Sequence, residues 1–264
     1  MAMFRKRYFF FDIDGTLTDL KTGAFVESAL QTIRELQEAG HFVAIATGRA
    51  CYKTRPAAEI TGIHNYVANG GAALILNDDI IRNSPLDRDK ALTILHEADE
   101  LGYGILIAPG DSMDVLMRDR RFLEQAGERQ EPTNYILRPD LSFDEIPAIY
   151  KFYLSVPAAE EERIHSRDLL GHIRMGKPYY WYQHDAKDQG IRDLLTYLGA
   201  DPQDAVVFGD GKNDMVMFGK EWLSIAMGGG YPELLAMADY VTAPSAQDGI
   251  RKACRHFGWI PGND

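Results

Sequence analysis

Short apolar runs, separated by longer amphipathic stretches at helical spacing, constrain this chain more than any other feature of it. Tyr8 to Ile13 reads as a buried strand, and His41 to Ala46 and Tyr66 to Ala68 read as two more. Between the first two, Val26, Ala29, Leu30, Ile33, Leu36 and Gln37 recur at helical intervals, and Gly40 is placed to end that helix. Such alternation is the signature of βαβ units. Asn69-Gly70-Gly71 follows the third strand, and the stretch Ala72 to Ile81, broken by Asn77-Asp78-Asp79, reads as a hairpin.

From about residue 83 the rhythm changes. A helix over Leu86 to Leu101 is followed by strands at Tyr103 to Ile107, Val115 to Met117 and Tyr150 to Val156. A charged helix over Ala158 to Leu170 and an aromatic strand over Tyr179 to Gln183 complete the segment, with Tyr179 to Tyr182 read as core rather than as a stacking surface. After Lys187 the βα alternation resumes: helix 188–198, strand 205–208, helix 214–218, strand 223–226, helix 232–238, strand 240–242 and helix 248–257. The expected architecture is α/β, a doubly wound Rossmann-like parallel-sheet core from residues 1–82 and 186–264, with an α+β cap domain inserted over 83–185.

Composition narrows the partners. With 28 Lys+Arg against 39 Asp+Glu in 264 residues, the formal charge is −11, and no basic stripe is interleaved with aromatics, so nucleic acid and anionic membranes are poor partners. No apolar run approaches the roughly 18 to 20 residues of a membrane span, and Asp12 cuts the run after Arg5-Lys6-Arg7 short of a signal peptide's ~7 to 15. Cys51 and Cys254 have no metal-ligand spacing and read as buried apolar residues of a reducing compartment, so the expected location is cytoplasmic. None of the seven histidines forms an HxxxH-like ligand pair.

Three strand ends carry the chemistry. Asp12-Ile13-Asp14-Gly15-Thr16 ends the first strand, and strand alternation would point both carboxylates the same way. Two such charges at the C-terminal edge of a parallel sheet need a cation or a proton to offset them. A polar turn or a calcium loop is the plain alternative for this run alone. A second buried strand delivers Gly209-Asp210, with Asn213 and Asp214 opening the next helix. Four carboxylates without a nearby His or Cys suit a hard divalent cation of the Mg2+ type. Between these runs, Thr47-Gly48-Arg49 offers a hydroxyl, backbone amides and a guanidinium suited to a phosphoryl group. Lys187 stands at a helix start, where a cation is disfavoured by the helix dipole unless it serves an anionic site.

The runs DIDGT (12–16), ATGR (46–49), Lys187 and GDGKND (209–214), in this order and each behind an apolar strand or at a helix start, resemble the four motifs of the haloacid dehalogenase superfamily of phosphohydrolases. The insert resembles that superfamily's type II cap, and residues 226–250 resemble the C-terminal signature of the Cof-type sugar-phosphate phosphatases. The resemblance implies that Asp12 is the nucleophile, giving an aspartyl-phosphate, and that Asp14 is the general acid and base. It implies a Mg2+ site made by Asp12, the backbone carbonyl of Asp14 and Asp210, supported by Asp214. Thr47 and Lys187 would hold phosphoryl oxygens, with Gly48, Arg49, Asn69, Gly70 and Asn213 as further substrate-side contacts. Asp188 follows Lys187 where the family usually has glycine, Gly71 replaces a usual alanine, and 228–230 is Gly-Gly-Gly rather than the commoner Gly-Asn-Ala type.

The expected function is therefore Mg2+-dependent hydrolysis of small phosphomonoesters, such as sugar phosphates, by a monomer or homodimer. A phosphotransferase of the phosphomannomutase kind and a non-catalytic phospho-ligand-binding protein are the rivals; a signalling receiver does not suit the second acidic strand or the insert. The cap is expected to hinge near 82–85 and 183–186, with Asp111, Ser112, Asp114, Arg118, His172, Lys177 and Tyr180 among its possible substrate contacts.

Overall fold

The computed structural model describes residues 5–174 and 177–261. Its strands are β1 (Tyr8–Phe11), β2 (Phe42–Ala46), β3 (Tyr66–Ala68), β4 (Ala73–Leu76), β5 (Asp79–Asn83), β6 (Ile105–Ala108), β7 (Asp114–Met117), β8 (Asn134–Leu137), β9 (Lys151–Leu154), β10 (His172–Ile173), β11 (Tyr180–Tyr182), β12 (Ala205–Gly209), β13 (Leu223–Ala226) and β14 (Tyr240–Val241). Its α-helices are α1 (Glu27–Glu38), α2 (Cys51–Thr61), α3 (Arg88–Glu100), α4 (Arg121–Ala126), α5 (Lys187–Leu198), α6 (Pro232–Met237) and α7 (Gly249–His256). The chain divides into two units, residues 1–83 with 185–264 and residues 84–184.

In the first unit the strand order is β14-β13-β12-β1-β2-β3-β4-β5. All pairs from β14 to β3 are parallel, and β4 and β5 add an antiparallel hairpin at the edge. β1 shows how the sequence dictates this. Phe9 and Phe11 point to one face, among residues of α1, α2 and α7, while Phe10 points to the other, among residues of α5 and α6. All three rings are fully buried. Burial of each contributes about 1.5–3 kcal/mol, and a strand apolar on both faces fits only between two helical layers. The result is a doubly wound Rossmann-like core. Because the chain runs from β1 to β2 on one side and returns to β12 on the other, the C-terminal ends of β1, β2 and β12 flank the topological switch point, where ligands bind in such sheets.

The second unit is α+β: a six-stranded sheet, β10-β11-β9-β6-β7-β8, in which only β7 and β8 pair in parallel. One face packs with α3 on Ile105, Ile107, Phe152, Leu154, Tyr180 and Tyr182, and the other with α4 on Leu106, Val115, Tyr153 and Tyr179. The aromatic strand is thus core on both faces, and Tyr180, a possible substrate contact by sequence, is fully buried. Arg118 is bound to Asp99 and Lys177 to Gln130.

Several elements depart from the sequence expectations. Residues 158–170 form no α-helix but two 3-10 turns, Ala158–Arg163 and Arg167–Leu169. Glu97 explains the break: its carboxylate accepts the amides of His165 (2.8 Å) and Ser166 (2.9 Å), which would otherwise feed the helical ladder. Likewise the helix expected at 214–218 is a 3-10 turn over Lys212–Met217. The first strand ends at Phe11 rather than at Ile13, and α2, α4 and β8 had no counterpart in the sequence reading. Cys51 and Cys254 are both buried, and neither is in a disulfide. No helix among the described residues is long and apolar enough to cross a membrane.

Candidate active site

Four segments of the first unit meet at the switch point. Asp12 follows β1 in extended conformation (φ −67°, ψ 165°), its amide bound to the carbonyl of Phe208 at 3.0 Å. The chain then turns sharply at Gly15, whose φ is +80° and whose missing Cβ leaves room for the Asp210 carboxylate. That turn overrides strand alternation. Asp12 is 4% exposed, whereas the Asp14 side chain is 65% exposed and forks onto Arg49, with Oδ1 and Oδ2 accepting Nη2 and Nε at 2.5 and 3.1 Å. The two carboxylates therefore do not share one environment, contrary to the strand argument.

The centre of the cluster is Lys187, the first residue of α5 and only 1% exposed. Its ammonium donates to Asp12 Oδ1 at 2.8 Å and to Asp214 Oδ1 at 2.6 Å. The other oxygen of Asp214 accepts the amides of Asp210 and Gly211, both at 3.0 Å, so this fully buried carboxylate ties the loop after β12 to α5. Tyr231 donates its amide to the carbonyl of Asp210 at 2.7 Å and fixes the loop from the other side. This strut was not legible in the motif spacing, because it comes from the backbone of the segment after β13.

Asp12, Asp210 and Asp214 each place a carboxylate oxygen within 4.8 Å of the others. Burial, together with Asp214, pushes Asp12 up to about 8 despite the opposing Lys187. Burial and the charges of Asp214 and Asp14 push Asp210 up to about 7. Burial alone would lower Lys187, but Asp12 and Asp214 outweigh it and hold the ammonium above its ordinary value. Three carboxylates against one ammonium leave a formal −2 in a nearly dry pocket. An all-oxygen, doubly negative site of this kind fits a hard divalent cation.

Of the remaining sequence-predicted residues, Thr47, Arg49, Asn69 and Gly70 are tied together by hydrogen bonds. Thr47 is buried at the end of β2; its amide donates to Val67, its hydroxyl accepts the amide of Arg49 (3.2 Å), and its carbonyl accepts that of Gly70 (3.2 Å). Asn69 donates its amide to the Arg49 carbonyl at 2.8 Å and its side-chain NH2 to Asn83 at 2.9 Å. Gly48 is half-buried and Asn213 exposed, next to Gly211.

The chain as a whole has similar proteins in sequence and in fold. The sequence profile of the haloacid dehalogenase-like hydrolases matches residues 9–254. The chain is 32% identical to the putative phosphatase YkrA of Bacillus subtilis over 264 aligned positions, covering 95% of this chain and 97% of that one. It is 26% identical to a phosphoglycolate phosphatase of Methanothermobacter thermautotrophicus, covering 94% and 97% of the two chains. The crystal structure of a hypothetical protein from Geobacillus kaustophilus superimposes with a TM-score of 0.82 at 26% identity, over 97% of this chain and 100% of that one. The chain belongs to the haloacid dehalogenase-like hydrolases, as a Cof-type phosphoric monoester hydrolase.

Proposed function

We propose that the protein is a Mg2+-dependent phosphatase of small phosphomonoesters, such as sugar phosphates and related metabolites, working through an aspartyl-phosphate. The observation that carries this reading is the position of Asp12: buried, at the end of β1, touching the Lys187 ammonium and within one cluster with Asp210 and Asp214. In the proposed first step an Asp12 oxygen attacks phosphorus, the bond to the leaving oxygen breaks, and Asp14 gives that oxygen its proton. In the second, water attacks the aspartyl-phosphate, its proton passes to Asp14, and the bond between phosphorus and Asp12 breaks.

Asp12, Asp210 and the backbone carbonyl of Asp14 would hold the cation, with Asp214 behind them. Bound there, Mg2+ would offset the charge that Lys187 leaves uncompensated and draw electron density from the phosphoryl oxygens. The chain's own donors do the rest. Lys187 opposes the upward shift that burial and Asp214 impose on Asp12 and would meet the phosphoryl group as it transfers, and the Thr47 hydroxyl would take a second oxygen. The Asp14–Arg49 pair is exposed enough to be worth only ~0–1 kcal/mol, so substrate phosphate can compete for the guanidinium and release Asp14 for proton transfer. Gly48, Asn69, Gly70 and Asn213 line this side, and the unit 84–184 serves as the specificity cap.

The test is inorganic phosphate release from a panel of sugar phosphates, nucleotides and cofactor phosphates, with and without Mg2+, beside Asp12→Asn. Release that requires both the metal and Asp12 supports the proposal. Phosphorylated sugar without free phosphate would instead assign a mutase, and Mg2+-dependent release retained by Asp12→Asn would overturn the nucleophile.

A further inference from the structure

Lys187 works only if its ammonium stands between Asp12 and Asp214, and what sets its position is the Asn69–Gly71 turn. The carbonyl of Gly70 accepts the amide of Ala186 at 2.8 Å, immediately before Lys187. Gly71 (φ +99°) lies so close that a Cβ on it would overlap the carbonyl of Ala186 and stand 3.1 Å from the amide nitrogen of Lys187. One turn along α5, a Cβ on Gly190 would stand 2.7 Å from the Cα of Gly71 and 2.5 Å from Val67 Cγ1. The first turn of α5 thus lies backbone to backbone on this turn, with two glycines making the approach possible.

A second connection fixes the same two parts. From β5, Arg82 donates through Nη2 to the carbonyl of Gly71 at 3.2 Å and through Nη1 to Asp193 Oδ2 on α5 at 2.6 Å. Gln189 holds the other oxygen of Asp193 at 2.7 Å. Burial would raise the Asp193 carboxyl, but the bonds from Arg82 and Gln189 win and hold it below its ordinary value. A single guanidinium therefore spans the turn and the helix that carries Lys187. Its fixed planar fork can meet a carbonyl and a carboxylate at once, which a lysine ammonium on a flexible stem cannot hold in the same geometry.

We infer that Arg82, through Gly71 and Asp193, is a positioning residue for Lys187, fixing how far α5 stands from the Asn69–Gly71 turn and so where the ammonium meets Asp12. This rests on the reading of Lys187 as a group that serves the phosphoryl site. A misplacement of about 1 Å at such a site costs up to ~100-fold in rate; because Lys187 keeps its two carboxylate partners, a smaller loss is expected.

The test compares Arg82→Ala, Arg82→Lys and Asp193→Asn with Arg192→Ala, which removes two other ion pairs of α5, to Asp188 and to Glu221. Steady-state phosphate release, thermal melting and amide hydrogen exchange at 186–190 are read on all four. The expected result is a kcat about tenfold lower in Arg82→Ala, with KM changed less than twofold and faster exchange at Ala186 and Gly190. Asp193→Asn should fall between that variant and wild type, and Arg82→Lys should not restore kcat. Arg192→Ala should keep wild-type kcat whatever it does to melting. If Arg82→Ala lowers the melting temperature but leaves kcat and exchange at 186–190 unchanged, the inference is overturned. Should Arg82→Ala fail to fold, Asp193→Asn decides by the same two readouts. Were wild type to release no phosphate from any substrate, the proposed function would fail, while the exchange data would still decide whether Arg82 fixes α5.

Discussion

Carboxylates at the end of the parallel sheet and carboxylates of the inserted unit are shifted in opposite directions. At the end of the parallel sheet, burial and like charge push Asp12 and Asp210 up to about 8 and about 7. In the inserted unit, Glu97, Asp99 and Asp119 are held below their ordinary values. Burial opposes the shift of Asp99, but the guanidiniums of Arg118 and Arg121 overcome it. The same residue type is thus used for two purposes. Carboxylates crowded beyond what one lysine can neutralise have charge in reserve for a ligand, whereas carboxylates matched by arginines or amides hold structure. Each prediction below attacks one side of that contrast.

The largest expected effect is on the crowded side. Asp12→Asn should lower phosphate release on the order of 10⁴-fold or more, as loss of a nucleophile does, while circular dichroism and melting stay native, because an amide relieves the repulsion among the three carboxylates. A variant that stops turning over only because it unfolds would break the contrast. Removing the cation is the reverse case. Lys187→Met leaves Asp12 and Asp214 buried without the ammonium that pairs them, and the expected loss is about 3–5 kcal/mol in urea denaturation. Stability within 1 kcal/mol of wild type would mean that the ammonium does not hold the cluster together.

Mg2+ should restore what the crowding costs. At 100 times its dissociation constant a bound ion adds about 2.7 kcal/mol, so the melting temperature should rise with Mg2+ concentration in wild type and stay flat in Asp210→Asn. An equal rise in both would place the ion elsewhere.

On the matched side the effects are smaller and depend on pH. Glu97→Ala removes the acceptor for the amides of His165 and Ser166, at an expected cost of about 1–2 kcal/mol near neutral pH. Burial would raise the Glu97 carboxyl, but the bonds from Ser166 and His165 lower it in the folded state. A lowered folded value means that the unfolded chain binds the proton first as pH falls. The contribution is therefore complete above the free carboxyl's value of about 4.3 and is lost as pH drops through the folded one. Urea denaturation of wild type and Glu97→Ala at neutral pH and near pH 3 should show the two converging in acid; a constant gap would refute the assignment.

Much of the architecture could be read from the chain alone. Phe9, Phe10 and Phe11 announce a strand buried on both faces, and Asn77-Asp78, both at positive φ (51° and 68°), mark the hairpin between β4 and β5. These are local signals, fixed by side-chain period and backbone sterics. The charged site residues were visible for the same reason: Asp12 and Asp210 stand where an apolar strand pattern stops, and Lys187 where a helical one begins. The 158–170 segment was misread because its helical spacing is real but local. Glu97, some 70 positions earlier in the chain, takes the amides that the spacing would have used.

What the sequence by itself determined is the succession of strands in the parallel sheet and the identity of the charged groups at its C-terminal edge. Only the tertiary structure decided which of those charges share an environment. It turned Asp14 out to Arg49 through the left-handed Gly15, and it buried Asp12 with Lys187 and Asp214. It also brought Arg82 to Asp193 across 111 positions. The physical reason is range. Strand and helix preferences act over a few residues, whereas desolvation and charge pairing depend on which distant segments are packed together, and nothing in local spacing encodes that.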